Sequence, residues 1–383
     1  MSSELFFNNT FTSGPNGASN ACVGNNGWQE LESYGDGYDE AVKIMYEAIK
    51  SDTGLLDIVI HPMVFSSRHR IELFLKASIK AISKIRENLT VSDDKLIKTH
   101  DLNNLWDIYE SLATDCDSRL KPHIEKQKEI VLEFAEVDPT GETFRYPYSQ
   151  SNQKHLIQTP VINVETFYKR YSELSADMIE MTFLLESLEN EYKQNTFTSK
   201  LSRFEIACIA EELPLREEWG NDSFTAIKDM IKDKYNLSSR NFSEVLNIIQ
   251  RHREFSLEIG VEIPIEHLNL EKMGKAIVLI DEVVQEQIGF NINNPKFTNE
   301  KLNNANHIFN NEFTKSEITC LYTMIEHGLS RYYSEGYDLL YNIFEVQEDK
   351  ESMIIELYKK NAIARIKESL EKLGQRTLLE LFN

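Results

Sequence analysis

The residues best suited to chemistry sit in one stretch, PMVFSSRHRIELFLKASIKAISKIREN, beginning at Pro62. Arg68, His69, Glu72 and Lys76 lie at helical spacing within it, and positions three and four apart are neighbours on a helix. Arg68 could bind a phosphate bidentately. His69, or His100 further on, could exchange a proton near neutral pH, with Glu72 orienting either ring. Lys76 follows one turn later. A second cationic group, Arg145, lies in the segment FRYP between Phe144 and Tyr146, whose rings could hold a guanidinium by stacking. A plainer reading stays open for each. Glu72 could pair with Arg68 and Lys76 on a solvated helix face, worth only tenths of a kcal/mol. His100 would then be a helix-start residue bonded to backbone, and the FRYP rings would plug a loop into the core while Arg145 pairs with a carboxylate.

The elements that must position these groups read as helices. Ile71, Leu75, Ser78, Ile82 and Ile85 recur at helical spacing, giving the central helix one apolar face. Pro62 suits its first turn, where a missing N–H costs nothing. After a polar break, His100 and Asp101 open a second helix carrying Leu102, Leu105, Trp106 and Tyr109. An earlier helix from about Tyr38 presents Ala41, Ile44, Met45 and Ile49. From Asn163, a long helix carries the stripe Phe167, Tyr171, Leu174, Met178, Met181, Leu185 and Leu188, a pattern that usually marks core. Further on, SRFEIACIAEELP reads as a helix stopped by Pro214, Ser223 as an N-cap, and Thr314 with Glu317 as a capping box. No alternation is long enough to demand a sheet, except near FRYP. The fold class expected is all-α. The expected organisation is a mobile Asn/Gly/Ser-rich tail (1–35), a helical domain with the FRYP loop (36–195), a second helical domain (196–290), an Asn-rich linker (291–312) and C-terminal helices (313–383).

Composition narrows the function classes. The chain has 383 residues, 41% of them hydrophobic and 10% aromatic, which is ample for real cores. Its formal net charge of −21 disfavours tight nonspecific binding of nucleic acid over most of the surface, although a local basic site remains compatible with it. The cysteines, Cys22, Cys116, Cys208 and Cys320, form no C-x-x-C pair, which argues against a zinc ribbon and a disulfide framework. No apolar run approaches the ~20 residues a membrane span needs, and the N-terminus lacks the layout of a secretory signal. A cytoplasmic protein with no membrane association is expected. There is no G-x-x-x-x-G-K-[ST], G-x-G-x-x-G, H-E-x-x-H or G-x-S-x-G, and 15 glycines leave little for a phosphate-cradling loop. The nine histidines include no H-x-x-x-H pair, so neither a metal site nor a cofactor is expected.

The combination of Phe65, Arg68, His69, Glu72, Leu73, Leu75 and Lys76 on one helix with His100, Asp101, Leu102, Leu105 and Trp106 on the next resembles HEPN-like proteins. The downstream Asp138-Pro139 and FRYP resemble an element that accompanies such domains. The resemblance covers about residues 38–190. It implies an N-terminal helical bundle that often dimerises, and an effector role in bacterial antiphage defence or toxin–antitoxin systems. Many members cut RNA without a metal, joining an Arg and a His from an R-x(4–6)-H motif across the dimer. Here no arginine has a histidine five to seven residues later. A substitute constellation is therefore expected: Arg68, His69, Arg145 and His100 as catalytic groups, with Glu72, Lys76 and Tyr146 in substrate binding. The implied partners are a second copy of the chain, RNA or a nucleotide, and a protein of the same defence operon. The competing expectation is a catalytically inactive helical sensor, scaffold or antitoxin that binds a nucleotide or a partner protein.

Overall fold

The computed structural model describes residues 8–24, 30–86, 89–92, 96, 98–149, 151–288, 300–329 and 333–382. Among these the chain is all-α. Its one β feature is an isolated antiparallel bridge between Tyr148 and Lys154, just after FRYP. No helix of the described residues is long and apolar enough to cross a membrane. Two compact units divide the chain, Met1–Glu189 and Asn190–Asn383.

In the first unit, α1 (Leu31–Lys50) turns into α2 (Leu56–Ile85), and the two pack along their lengths. The turn is closed by the amides of Thr53 and Gly54, both bonded to Ala48 O, with Asp52 in the left-handed region. The helix α3 (Leu102–Cys116) packs on α2, and α4 (Lys121–Val137) packs on α3. The long α5 (Val164–Tyr192) follows the irregular loop. The central position falls to α2, which is buried nearly all round: one face carries Ile71, Phe74, Leu75, Ile79, Ile82 and Ile85, and Arg68, Glu72 and Lys76 are buried beside it. The stripe predicted on α5 is buried as well, from Tyr171 to Leu188, with Phe167 half-buried.

Three local readings change. Pro62 lies inside α2, not in its first turn; the helix starts at Leu56 and carries on past the proline. The first helix begins at Leu31, and it buries Val42 and Tyr46 in place of Ile44, which is 61% exposed. The N-cap of the helix starting at Asp222 is Asn221, two residues before Ser223, which lies inside the helix. The expected tail is partly described: residues 9–24 are exposed and Asn8 half-buried, with a single turn of 3-10 helix at Gly17–Ser19, while residues 1–7 and 25–29 lie outside the described residues.

The second unit contains α6 (Arg203–Glu212), α7 (Asp222–Lys234), α8 (Ser239–Arg251) and the short α9 (Arg253–Ser256). They gather Ile206, Ile209, Phe242, Val245, Ile249 and Phe255 into one cluster. A second cluster is built by α10 (Leu270–Ile288), α11 (Glu300–Glu312), α12 (Lys315–Leu329), α13 (Gly336–Gln347), α14 (Lys350–Glu356), α15 (Ala362–Lys372) and α16 (Arg376–Leu379). The capping box expected at Thr314–Glu317 is formed, and a second one, not read from the sequence, closes the start of α6 at Ser202–Glu205. The Asn-rich segment read as a linker is helical over Glu300–Glu312, because Ala305 and Phe309 bury a stripe that its asparagines obscure; residues 291–299 lie outside the described residues.

The crossing of α12 and α15 depends on Gly328. A Cβ there would lie 2.1 Å from the carbonyl oxygen of Arg365, which is backbone and cannot swing away. Gly37 on α1, by contrast, faces open space. Chemical denaturation is expected to show Gly328→Ala destabilising the second unit by ~1–3 kcal/mol through forced overpacking. Gly37→Ala should leave stability unchanged or raise it by up to ~1 kcal/mol, the helix-propensity difference.

Candidate functional site

The polar stretch of α2 meets the start of α3 and the loop after α4 around one carboxylate, that of Glu72. The residue is only 3% exposed. It accepts from Arg68 Nη1, from Lys76 Nζ at 2.8 Å and from His100 Nδ1 at 2.9 Å, and His69 Nδ1 lies 3.8 Å away. Burial by itself would raise this carboxyl. The close approach of His69 and the hydrogen bonds from Lys76, His100 and Arg68 more than offset it and hold the group well below the ordinary carboxylate range. An ionised carboxylate only accepts, so the proton on the shared edge belongs to His100 Nδ1. That leaves Nε2 as the atom available to a ligand, on a side chain 61% exposed.

Arg68 is buried along its whole length, 1% exposed, and each of its three nitrogens has a protein acceptor. Nε donates to Asp138 O at 3.2 Å, Nη1 to Glu72, and Nη2 to Pro139 O at 2.7 Å and to His100 O. Pro139 O also accepts from Leu102 N at 3.0 Å, which fastens the loop to the first turn of α3. Asp101 caps that turn through Asn104 N at 3.0 Å. Gly141 takes φ +82°, and a Cβ on it would sit 3.3 Å from Arg68 Nη1, so glycine suits both the backbone and the close approach.

Arg145 behaves differently. Its Nε donates to Gly141 O at 2.5 Å, and this is its one bonded nitrogen among the described residues. The guanidinium lies 5.4 Å from the ring of Phe65 and 5.5 Å from that of Tyr146. The expected aromatic clamp therefore exists, but with Phe65 from α2 as its second ring. Phe144 is 7% exposed and belongs to the core, as the plainer reading of that ring had it. The Phe65 ring also stacks on His69 at 5.8 Å, while Tyr38 from α1 meets His69 edge-on at 4.6 Å. Tyr38, which the sequence did not mark as a site residue, and Phe65, marked only within the resemblance, thus fix the orientation of the His69 ring.

Five of the seven residues singled out from sequence, Arg68, His69, Glu72, His100 and Arg145, line one cleft of about 680 Å³. Phe65, Lys98, Thr99, Asp101, Asn104, Thr140, Gly141 and Glu142 complete its walls, so the cleft carries acidic as well as basic groups. The other two lie elsewhere. Lys76 is buried one turn along α2 against Glu72, and Tyr146 faces a neighbouring cleft of about 830 Å³ that shares Arg145 as a wall. The expectation that Arg68 holds a phosphate meets a guanidinium whose nitrogens already hold the protein together. The expectation that Glu72, Arg68 and Lys76 form a solvated face also fails, since all three are buried. The backbone acceptors that commit Arg68 left no sequence signal beyond the Asp-Pro-x-Gly run.

Other polar clusters are more fully closed. Ligating atoms of His123, Asp177 and Glu180, and of His252, Glu254 and Glu335, lie within 4.8 Å of one another. In each group a basic side chain already occupies the carboxylates: Lys126 reaches Asp177 at 2.8 Å, and Arg203 reaches Glu335 at 2.8 Å as well as Glu254. Burial pushes the thiols of Cys116 and Cys320 up to about 12 and about 11, so neither is a nucleophile at neutral pH. Against protein-family models, curated proteins and solved structures, the chain has no match.

The lowered carboxyl of Glu72 makes a pH prediction. Because the folded group releases its proton more readily than the unfolded one, its stabilisation is complete above the ordinary value near 4.5. It declines as pH falls below that value towards the lowered one. Glu72→Gln should cost ~3–5 kcal/mol at pH 7, the penalty for stranding buried cations. Urea titrations of the variant between pH 6 and pH 3 should show a shallower acid-side loss than the parent chain.

Proposed function

We propose that the cleft between α2, α3 and the 138–145 loop binds a phosphodiester and that the chain is a HEPN-like effector cutting RNA without a metal. The observation that carries this reading is one carboxylate orienting His100, with His69 and Arg145 on the same cleft. In this scheme neutral His100 Nε2 takes the proton of a ribose 2′-hydroxyl. The oxygen attacks the adjacent phosphorus, the P–O5′ bond breaks, and protonated His69 supplies the proton to the departing 5′-oxygen. The products are a 2′,3′-cyclic phosphate and a 5′-hydroxyl, with no external reactant. Arg145, stacked but with outer nitrogens uncommitted, stabilises charge on the phosphoryl oxygens. Arg68 and Lys76 are positioning residues. They hold Glu72, and Glu72 holds the imidazole.

The reading also follows from the resemblance of α2 and α3 to HEPN-like proteins, which places such an effector in bacterial defence or toxin–antitoxin systems and in a dimer. A second reading is favoured by one observation, the commitment of Arg68 to protein acceptors. Here the cleft binds an anionic ligand, a nucleotide or RNA, without cutting it, as a sensor or antitoxin would.

The two readings separate on a single assay. Incubated with an RNA oligonucleotide in EDTA, the protein should yield fragments ending in cyclic phosphate, and the all-deoxy analogue should stay intact. His100→Ala and Arg145→Ala, each at the rim of the fold, should slow cleavage by ~10²-fold or more while leaving the helical CD signal unchanged. An intact RNA that is nonetheless retained on a filter by the parent chain, and lost by Arg145→Ala, selects the sensor reading.

A further inference from the structure

A second cleft opens beside the first, and its charge is different in kind. It has a volume of about 830 Å³ and takes Arg145 as a shared wall. The first cleft mixes its cations with Glu72, Asp101 and Glu142. The second is lined by His61, Arg145, Lys154 and His155, with no aspartate or glutamate among its described lining residues. The chain holds 62 acidic residues against 41 lysines and arginines, so a cleft free of carboxylates is a local site for an anion.

Backbone pairing sets the wall that faces away from α3. Tyr148 and Lys154 form the antiparallel bridge, Ser149 N donates to Gln153 O at 2.8 Å, and His155 N donates to Pro147 O at 3.0 Å. The chain therefore doubles back, and Lys154 returns to the side of the FRYP segment. Lys43, Lys76, Lys126 and Lys128 of the same unit each hold a carboxylate. Lys154 is exposed and holds none among the described residues. Tyr146, 56% exposed, and Ile157, 71% exposed, add apolar surface to the same walls. Uncommitted cations beside an open ring suit a nucleotide, whose phosphate takes the charge and whose base takes the ring.

We propose that this cleft is a subsite for the neighbouring nucleotide of a single-stranded substrate. With one phosphate at Arg145, the adjacent phosphate of the strand is held by Lys154, and the nucleoside between them lies against Tyr146 and Ile157. Arg145 belongs to both clefts, so a strand that passes it enters the second directly. An unpaired strand is required, because a base must leave its partner to reach a side-chain ring. The proposal rests on the phosphodiester reading and adds to it where the rest of the strand goes. Lys154 binds the strand and takes no part in moving protons.

The test uses the full chain and ligands without a 2′-hydroxyl, which the proposed chemistry cannot cut. A fluorescein-labelled deoxyoligonucleotide is displaced by d(TpA), with one phosphate, or by d(TpAp), with two, and anisotropy gives each midpoint. The second phosphate should lower the midpoint of the parent chain ~10-fold, as a charge-assisted hydrogen bond would. Lys154→Ala should abolish that gain, whereas Lys301→Ala, which removes an exposed charge on α11, should keep it. Equal midpoints for the two ligands on the parent chain, a gain that survives Lys154→Ala, an equal loss in Lys301→Ala, or no binding up to millimolar concentration overturns the subsite. RNA left intact beside a Lys154-dependent gain overturns the cutting and leaves the subsite standing. RNA cut beside equal midpoints overturns the subsite and leaves the phosphodiester reading.

Discussion

Everything at the candidate site depends on a buried carboxylate that stays charged. Removing Glu72 from water carries a desolvation cost of several kcal/mol, which is recovered only because two cations and an imidazole converge on it. The consequence is architectural as much as electrostatic. Arg68 meets Glu72 with one nitrogen and uses the others on the carbonyls of His100, Asp138 and Pro139. One side chain therefore ties α2 to the start of α3 and to the loop after α4. The cleft has walls because these three segments cannot separate without stranding a guanidinium among unmatched carbonyls.

This arrangement divides labour between cations that look alike in sequence. Arg68 and Lys76 are spent internally, where they hold Glu72 and are shielded from solvent. Arg145 is braced by two rings and one carbonyl, an arrangement that fixes a guanidinium without neutralising it. In a chain of net charge −21, such a group is worth more than its single charge suggests. The surrounding acidic surface discourages indiscriminate binding of polyanions, so an anion that does bind must be held by local geometry. The ring of His69, held by Tyr38 and Phe65, and the ring of His100, held by Glu72, meet the same requirement of fixed orientation by two different means.

The second unit follows another logic. Its cohesion comes from two apolar clusters and close helix crossings such as that at Gly328, and its buried charges are closed upon themselves. Arg203 illustrates this, with a bidentate hold on Glu335, a contact to Glu254 and flanking rings of Phe255 and Tyr333. It is an aromatic cage around a guanidinium, like that of Arg145, but the carboxylates fill the side that Arg145 leaves to the cleft.

The residue order alone determined the all-α class, the apolar faces of α2 and α5 and the capping box at Thr314, because these rest on periodicity and on contacts spanning three or four positions. It also picked out most of the cleft, since Arg68, His69 and Glu72 share a helix and His100 opens the next. Tertiary structure decided which of those groups are tied up inside the protein and which face the cleft. Whether a guanidinium faces a ligand or three backbone carbonyls depends on segments seventy residues apart, and carbonyls carry no residue identity to read. The same holds for the exchange of Phe144 for Phe65 beside Arg145, and for the asparagine-rich stretch that becomes α11 once Phe309 has a core to enter. Local patterns fix which face of a helix is apolar; only the packed chain fixes what that face, and the polar one beside it, will meet.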